Sequence, residues 1–274
     1  MNRQEQTLGE KIARLDGSRG FVNNFDSFID FALFPFLANP TKEQMENFEA
    51  HRREQAYLDA LLMLGELSEG YHDCLGDMFM ERISHGANSQ FFTPDHICEF
   101  MAEITDNVGE SICDPTCGSG RFLLAGMKSS RERHNAEPTL YGCDLDERCT
   151  RMTLLNVCLN SGRGDIEWGN TLTLDIYRTY HIDRIRVFGK WMSYVWQYSK
   201  DDDLNALNEE RQKTAQKLLE CGVLYERPTQ RSKEPRAVPE DVQPEPVEEV
   251  PQEKPLPPIV EPERKQPVQL SFDF

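Results

Sequence analysis

The sequence predicts an α/β protein: a parallel sheet with crossover helices, preceded by a helical segment and followed by a disordered tail. Three observations carry that expectation. Apolar residues up to about position 85 recur at helical spacing. Between Ser111 and Val187, short apolar runs alternate with helical stretches, the signature of strands joined through helices. Beyond Arg227 the composition changes abruptly, and 11 of the 16 prolines fall there.

In chain order, Phe21, Phe25, Phe28, Phe31 and Phe34 stand three or four apart, which places one aromatic stripe on a helix packed against its neighbours. Thr41 with Glu43 and Gln44 opens a second helix, whose apolar positions run on through Leu58, Leu61 and Leu62. A third apolar segment spans Tyr71 to Ile83. Strands are expected at Ser111–Cys113, Thr139–Cys143, Asp165–Trp168 and Arg184–Val187, with helices near 121–130 and 147–161. Trp191 to Trp196 and Leu204 to Cys221 read as helices. From Pro228 onward, proline removes backbone donors and fixes φ, so neither helix nor sheet core is expected.

Charge narrows the function. Lys+Arg 30 against Asp+Glu 47 gives −17, which argues against a free-standing nucleic-acid binder held by bulk charge. The tail contributes 6 basic and 10 acidic residues, so −17 − (−4) leaves −13 on the body. No apolar run reaches the roughly 18 residues a membrane span needs, and no signal peptide is visible; the expected location is the cytoplasm. The eight cysteines show no paired CxxC knuckles. Cys113 and Cys117 read as small buried side chains, and no metal is expected.

The strongest local signal is Asp114-Pro115-Thr116-Cys117-Gly118-Ser119-Gly120, after a strand and before the apolar helix Phe122-Leu123-Leu124-Ala125. Gly118 and Gly120 let the backbone turn sharply and approach a ligand. Leu123 stands where a dinucleotide fingerprint needs a third glycine, and the Gly-Lys-Ser/Thr ending of a phosphate loop is absent. Further on, Tyr141-Gly142-Cys143-Asp144-Leu145-Asp146 puts a carboxylate at a strand end, where it can accept from both ribose hydroxyls. Gly169-Asn170-Thr171-Leu172 ends the next strand with an amide able to read an adenine edge, and Ser89-Gln90-Phe91-Phe92-Thr93-Pro94 lies upstream. Taken singly, Asp144 reads equally as a cap for the helix near Glu147, and Pro94 as a helix start. Together they describe a pocket for an adenosine with a charged amino-acid tail.

This set resembles the N6-adenine DNA methyltransferases of the gamma class, most closely the modification subunits of type I restriction systems. The likeness runs from Asp73-Cys74-Leu75-Gly76-Asp77 to Leu172. It implies a Rossmann-like methyltransferase sheet and S-adenosylmethionine as cofactor. Ser89 and the Gln90–Pro94 phrase (Gln90, Phe91, Phe92, Thr93, Pro94), with Asp114, Thr116, Gly118, Ser119 and Gly120, would then hold its methionine part. Asp144 would bind the ribose, Leu145 would pack on the adenine, and Asn170 would bond the adenine amino group with Thr171 beside it. The resulting division is a helical N-terminal domain (1–87), a cofactor-binding domain (88–190), C-terminal helices (191–227) and the tail (228–274).

The resembled family carries an Asn/Asp-Pro-Pro-Tyr/Phe phrase that holds the target amine and stacks on the flipped base. That phrase is absent here: no proline stands between Pro138 and Pro228, and Val187 leads straight into Phe188-Gly189-Lys190. Phe188 reads either as the aromatic left behind by a deletion or as a core residue, and no catalytic residue is identified. After Val187 too little chain remains before the tail for the rest of a methyltransferase sheet. The sheet is therefore expected to be incomplete, its open edge covered by another strand, helix or partner. Arg178, Arg184, Arg186 and Lys190 form the one basic cluster near the expected substrate cleft, read either as a solvated strand edge or as phosphate contacts.

The resemblance implies DNA as substrate, gripped through a specificity or second methyltransferase subunit. The terminal Gln269-Leu270-Ser271-Phe272-Asp273-Phe274 resembles peptides that dock on bacterial sliding clamps, with the tail as tether. Two readings follow: an S-adenosylmethionine-dependent adenine-N6 DNA methyltransferase completed by a partner, or a catalytically inactive module that binds cofactor or partner.

Overall fold

The computed structural model describes residues 2–17, 19–84, 91–105 and 111–226, with backbone alone at Tyr225 and Glu226. Met1–Gln230 form one compact unit. Ser89, Gln90 and the Gln269–Phe274 peptide lie outside the described residues.

The leading segment folds as α1 (Arg3–Ala13), α2 (Gly20–Leu33), α3 (Lys42–His51), α4 (Gln55–Leu67) and α5 (Cys74–Phe79), the last widening into a turn over Met80–Ser84. Local chemistry fixes the starts. The Asn2 side chain and Glu5 cap α1 reciprocally, Thr41 and Gln44 do the same for α3, and the Asp73 carboxylate accepts the Gly76 amide at the head of α5. The phenylalanine stripe lies on α2 as expected: Phe25, Phe28 and Phe31 are buried, while Phe34, just past the helix end, stacks on Phe48 at 4.0 Å. Leu62, placed with the apolar positions of this segment, is 68% exposed on α4.

A βαβαβ unit follows α6 (Asp95–Thr105): β1 (Ser111–Asp114), α7 (Arg121–His134), β2 (Thr139–Asp144), α8 (Glu147–Leu159) and β3 (Gly164–Asn170). The three strands pair in parallel in the order β1-β2-β3. Ile112, Leu140 and Ile166 are buried from one sheet face with Leu123, Leu124, Met127, Leu154, Leu155 and Val157 of α7 and α8. The same apolar core includes the side chains of α1, α2, α4 and α5. Arg148 of α8 grips Asp26 of α2 through two hydrogen bonds of 2.6 and 2.8 Å, and Arg151 reaches Asp30 at 2.8 Å. Helical segment and sheet are thus joined by both apolar packing and paired charges.

After β3 the chain departs from expectation. β4 (Asp175–Val187) runs antiparallel to β3 and turns directly into β5 (Lys190–Ser199), an antiparallel partner along its whole length. Trp191 to Trp196 is therefore a strand, and the C-terminal helices expected over 191–227 reduce to α9 (Leu204–Glu220) followed by a short β6 (Leu224–Glu226) on β4. The difference has a physical cause. Both sheet faces of Trp191-Met192-Ser193-Tyr194-Val195-Trp196 carry bulky apolar residues, so the run shows no clean period of two. The turn is two residues, Phe188 at φ 49° and Gly189 at φ 80°, the left-handed pair that matches strand twist in a tight hairpin. Among the described residues, no helix is long and apolar enough to cross a membrane.

Candidate functional site

The carboxyl ends of β1, β2 and β3 converge on one edge of the sheet, as parallel pairing requires. At the end of β1 the chain makes a tight turn. Asp114 accepts the Thr116 amide at 3.1 Å, the Cys117 amide donates to the Cys143 carbonyl at 2.9 Å, and α7 starts beyond Gly120. Gly118 and Gly120 have φ of +56° and +89°, and a β-carbon on Gly118 would stand 2.9 Å from the Phe92 ring. Both positions need glycine, for conformation and for space.

The Gly118 amide donates to the Asp144 carboxylate at 2.8 Å, and the other carboxylate oxygen accepts the Asp146 amide at 2.8 Å. Asp144 therefore ties the tip of β2 to the glycine turn. It is not the cap of α8; that role belongs to Asp146, whose side chain accepts from the Arg148 amide. Burial pushes the Asp144 carboxyl above its ordinary value, against the pull of its two amide donors, and burial raises Asp114 likewise. Beside Asp144, the Leu145 side chain is 63% exposed while its carbonyl accepts the Trp168 indole at 3.1 Å. Such a leucine, pinned through its backbone and bare at its side chain, presents an apolar face next to a carboxylate.

Thr171 at the end of β3 donates to the Pro115 carbonyl at 3.0 Å, closing the third side. Asn170 is half-buried, and its side-chain oxygen accepts the Leu172 and Thr173 amides at 3.0 and 3.4 Å. The acceptor that an adenine amino group would need is thereby engaged, leaving the amide nitrogen of Asn170 to a ligand. Of the upstream phrase, Phe92 stacks on Phe79 at 5.3 Å and lies under the Arg121 guanidinium, while Phe91, Thr93 and Pro94 are exposed. Pro94 directly precedes α6, and its carbonyl accepts the Ile97 and Cys98 amides, so it does open that helix. Phe91, Phe92, Thr93, Asp114, Thr116, Gly118 and Ser119 line one small cavity of about 60 Å³.

Beneath the turn sits a residue that sequence reasoning left without a role. Asp73, fully buried, accepts from the Gly76 amide at 2.8 Å, Arg121 Nε at 2.7 Å, the Asn156 amide nitrogen at 2.7 Å and the Ser119 hydroxyl. Asn156 donates again to the Ser119 carbonyl at 2.9 Å, and Thr153 donates to the Gly118 carbonyl at 2.8 Å. The turn is held from below by α5 and α8. One signal was available: Asn156 interrupts the apolar run Leu154-Leu155-Asn156-Val157, and a polar side chain in a buried stripe requires a partner.

Other expected features are not brought together. Arg184 is buried, paired with Glu137 at 2.6 Å and stacked over Trp191 at 4.6 Å. Arg178 stands near the other end of β4, facing a polar cleft of about 400 Å³ with Asp30, Arg151 and Tyr180. The four basic residues thus make no single cluster. Phe188 is fully exposed at the hairpin tip, so it is not a core residue. Because β4 runs against β3, that tip lies at the sheet end opposite Asn170. Cys117 is buried as expected, whereas Cys113 is exposed on β1, which corrects the buried reading given for it.

Known proteins resemble this chain in part. The family model described as N-6 DNA methylase matches residues 71–217, more than half of the chain. The type II restriction enzyme and methyltransferase RM.BcgI of Heyndrickxia coagulans is 28% identical over 169 residues, 56% of this chain and 26% of that protein. The methylase subunit of the type I restriction enzyme MjaIX from Methanocaldococcus jannaschii is 33% identical over 97 residues, 35% of this chain and 16% of that one. This chain therefore spans about a quarter or less of these two relatives. A putative class I S-adenosylmethionine-dependent methyltransferase from Listeria monocytogenes superposes with a TM-score of 0.40 at 15% identity, covering 60% of this chain and 52% of that one.

Proposed function

Because the chain belongs to the N-6 DNA methylase family, we propose that it is the S-adenosylmethionine-holding part of an adenine-N6 DNA methyltransferase. The observation that carries this reading is the Gly118–Asp144 hydrogen bond, which joins the glycine turn to the carboxylate at the neighbouring strand tip. The donor set fits the cofactor: a half-buried carboxylate, a bare leucine beside it and a free amide beyond it are what ribose, adenine face and adenine ring nitrogen require. S-adenosylmethionine supplies an electrophilic methyl group on a sulfonium sulfur.

The chain's own residues bind and orient. Asp144 accepts the ribose hydroxyls with lone pairs not used by the Gly118 and Asp146 amides. Leu145 covers one adenine face, and Asn170 donates to a ring nitrogen, with Thr171 fixing the β3 end. Ser89, the Gln90–Pro94 phrase and the Asp114–Gly120 turn take the methionine part. The groups that hold the adenine amine are supplied from elsewhere, through a specificity subunit or a second methyltransferase piece. That partner also grips DNA, since among the described residues Arg178 and Arg184 stand apart on an acidic body. The terminal Gln269–Phe274 peptide serves as a clamp-docking tether.

One observation favours a second reading, a module that binds cofactor without transferring methyl groups: the strand after β3 runs antiparallel, and its hairpin turn lies at the sheet end opposite Asn170. Isothermal titration with S-adenosylmethionine tests the pocket. Tritiated methyl transfer to unmethylated DNA, with the chain alone and with its partner, tests the chemistry. Absence of cofactor binding ends both readings; binding without transfer in either setting leaves the second.

A further inference from the structure

Along β4 and β5, Tyr180, Ile182 and Val195 enter the core shared with the leading helices, so their neighbours His181 and Trp196 face the other side of the sheet. There a cavity of about 260 Å³ lies between the strands and the first turns of α9, whose Leu204 and Leu207 line it together with Tyr198. Its floor is one row across three strands: Asp165 of β3 is paired in register with His181 of β4, and His181 with Trp196 of β5.

Trp196 is 4% exposed, and its indole nitrogen is buried with no hydrogen-bond partner among the described residues. Tyr194 stands perpendicular to that ring at 5.9 Å but gives the indole no acceptor. A buried N–H left without an acceptor is a cost to the fold that an acceptor on a ligand removes. At the far end of the row, Asp165 Oδ1 accepts from His181 Nδ1, which leaves Oδ2 to accept from a ligand. The charges are matched within the protein, Asp165 by His181 and the buried Asp183 by Arg211, so the cavity suits a neutral occupant. Neighbouring strands stand about 4.8 Å apart, which separates Asp165 and Trp196 by about 9.5 Å at the backbone. One or two fused rings with a hydrogen bond at each end fill that span. The volume sets the same limit, since drug-sized ligands take about 300–1,000 Å³.

We propose that this cavity binds a small neutral planar heterocycle with the chemistry of a free nucleobase, its carbonyl accepting from Trp196 and its ring N–H donating to Asp165. Asp165 lies about 16 Å along β3 from Asn170, so this is a second ligand site, and it stands whatever the cleft binds.

The test follows the indole N–H signals of the three tryptophans in the nitrogen-15-labelled full chain, titrated separately with thymine and with hypoxanthine. The signal of Trp196 is identified by its disappearance in Trp196→Phe. At least one of the two probes should shift that signal saturably and leave those of Trp168 and Trp191 in place. 1,3-Dimethylthymine, which keeps the carbonyls but has no N–H, should bind about tenfold more weakly than thymine. Trp196→Phe should weaken the bound probe about tenfold, read by calorimetry, and keep its melting temperature, since the N–H it removes bonds nothing. Leu207→Trp, which fills the cavity from the helix side, should abolish binding, and it carries the test if Trp196→Phe fails to fold. A Trp196 signal that neither probe moves, equal shifts of all three signals, or full affinity in Leu207→Trp each overturns the proposal.

Discussion

Ser119 and Asp73, 46 residues apart in the sequence, meet through a buried hydroxyl–carboxylate hydrogen bond. The first sits inside the glycine turn, the second at the head of α5, so the turn inherits its position from the helical segment. Asp73→Ala leaves Arg121 its partner Asp77 but takes the acceptor from the Gly76 amide, the Asn156 amide nitrogen and the Ser119 hydroxyl; each buried donor left unsatisfied costs about 1–3 kcal/mol. Ser119→Ala removes one neutral donor and should cost about 1 kcal/mol. Denaturant titration of both variants checks the order, and equal losses would remove Asp73 from the centre of the network.

Asp144→Ala should weaken S-adenosylmethionine binding by about 1.5–3 kcal/mol, the value of a hydrogen bond to a charged acceptor. Asp144→Asn keeps one acceptor oxygen for the Gly118 amide and should lose less. Calorimetric titration distinguishes them. Unchanged affinity in the alanine variant would detach Asp144 from the ribose.

Acidity should act on binding and on stability in opposite senses. Burial raises Asp144 above 3.8 in the folded chain. Between the two values the folded chain holds a proton that the unfolded chain has released, so this group's contribution to stability falls as pH rises through that window. The ionised carboxylate is the stronger acceptor, so cofactor affinity should climb through the same window. The measurement is affinity, and the difference in melting temperature between wild type and Asp144→Asn, from about pH 4 to about pH 7. A flat affinity profile would contradict the assignment.

Phe188 occupies a left-handed position, φ 49°, with its ring in solvent. Such a conformation costs a bulky residue about 1 kcal/mol or more, and asparagine tolerates it better. Phe188→Asn should therefore raise the melting temperature by about 2–4 °C. The turn lies at the sheet end remote from Asn170, so cofactor affinity should stay where it was. Thermal melts and one titration settle both halves.

The parts of the fold legible in the sequence were those written locally. The phenylalanine stripe of α2, the Thr41–Gln44 cap and the three parallel strands each follow from a period or a cap confined to a few residues. The glycine turn and the Asp144 tip were legible for the same reason, as short phrases at strand ends. What escaped is non-local. The pairing of β5 with β4 turned a run that reads as helix into a strand, and no spacing in the sequence announces that Asp73, Ser119, Arg121 and Asn156 share one hydrogen-bond network. Arg184 misled in the opposite way, since a charged residue beside Arg186 gives no sign that Glu137 and Trp191 will bury it.

The grip of Arg148 and Arg151 on Asp26 and Asp30 has a practical corollary for anyone wishing to transplant the nucleoside cleft. A fragment trimmed to the strands and their crossovers would uncover an oily flank of α8 and take from two guanidinium groups the carboxylates they are hydrogen-bonded to. The smallest portable piece begins at α1, and the leading helices travel with the cleft as part of its foundation.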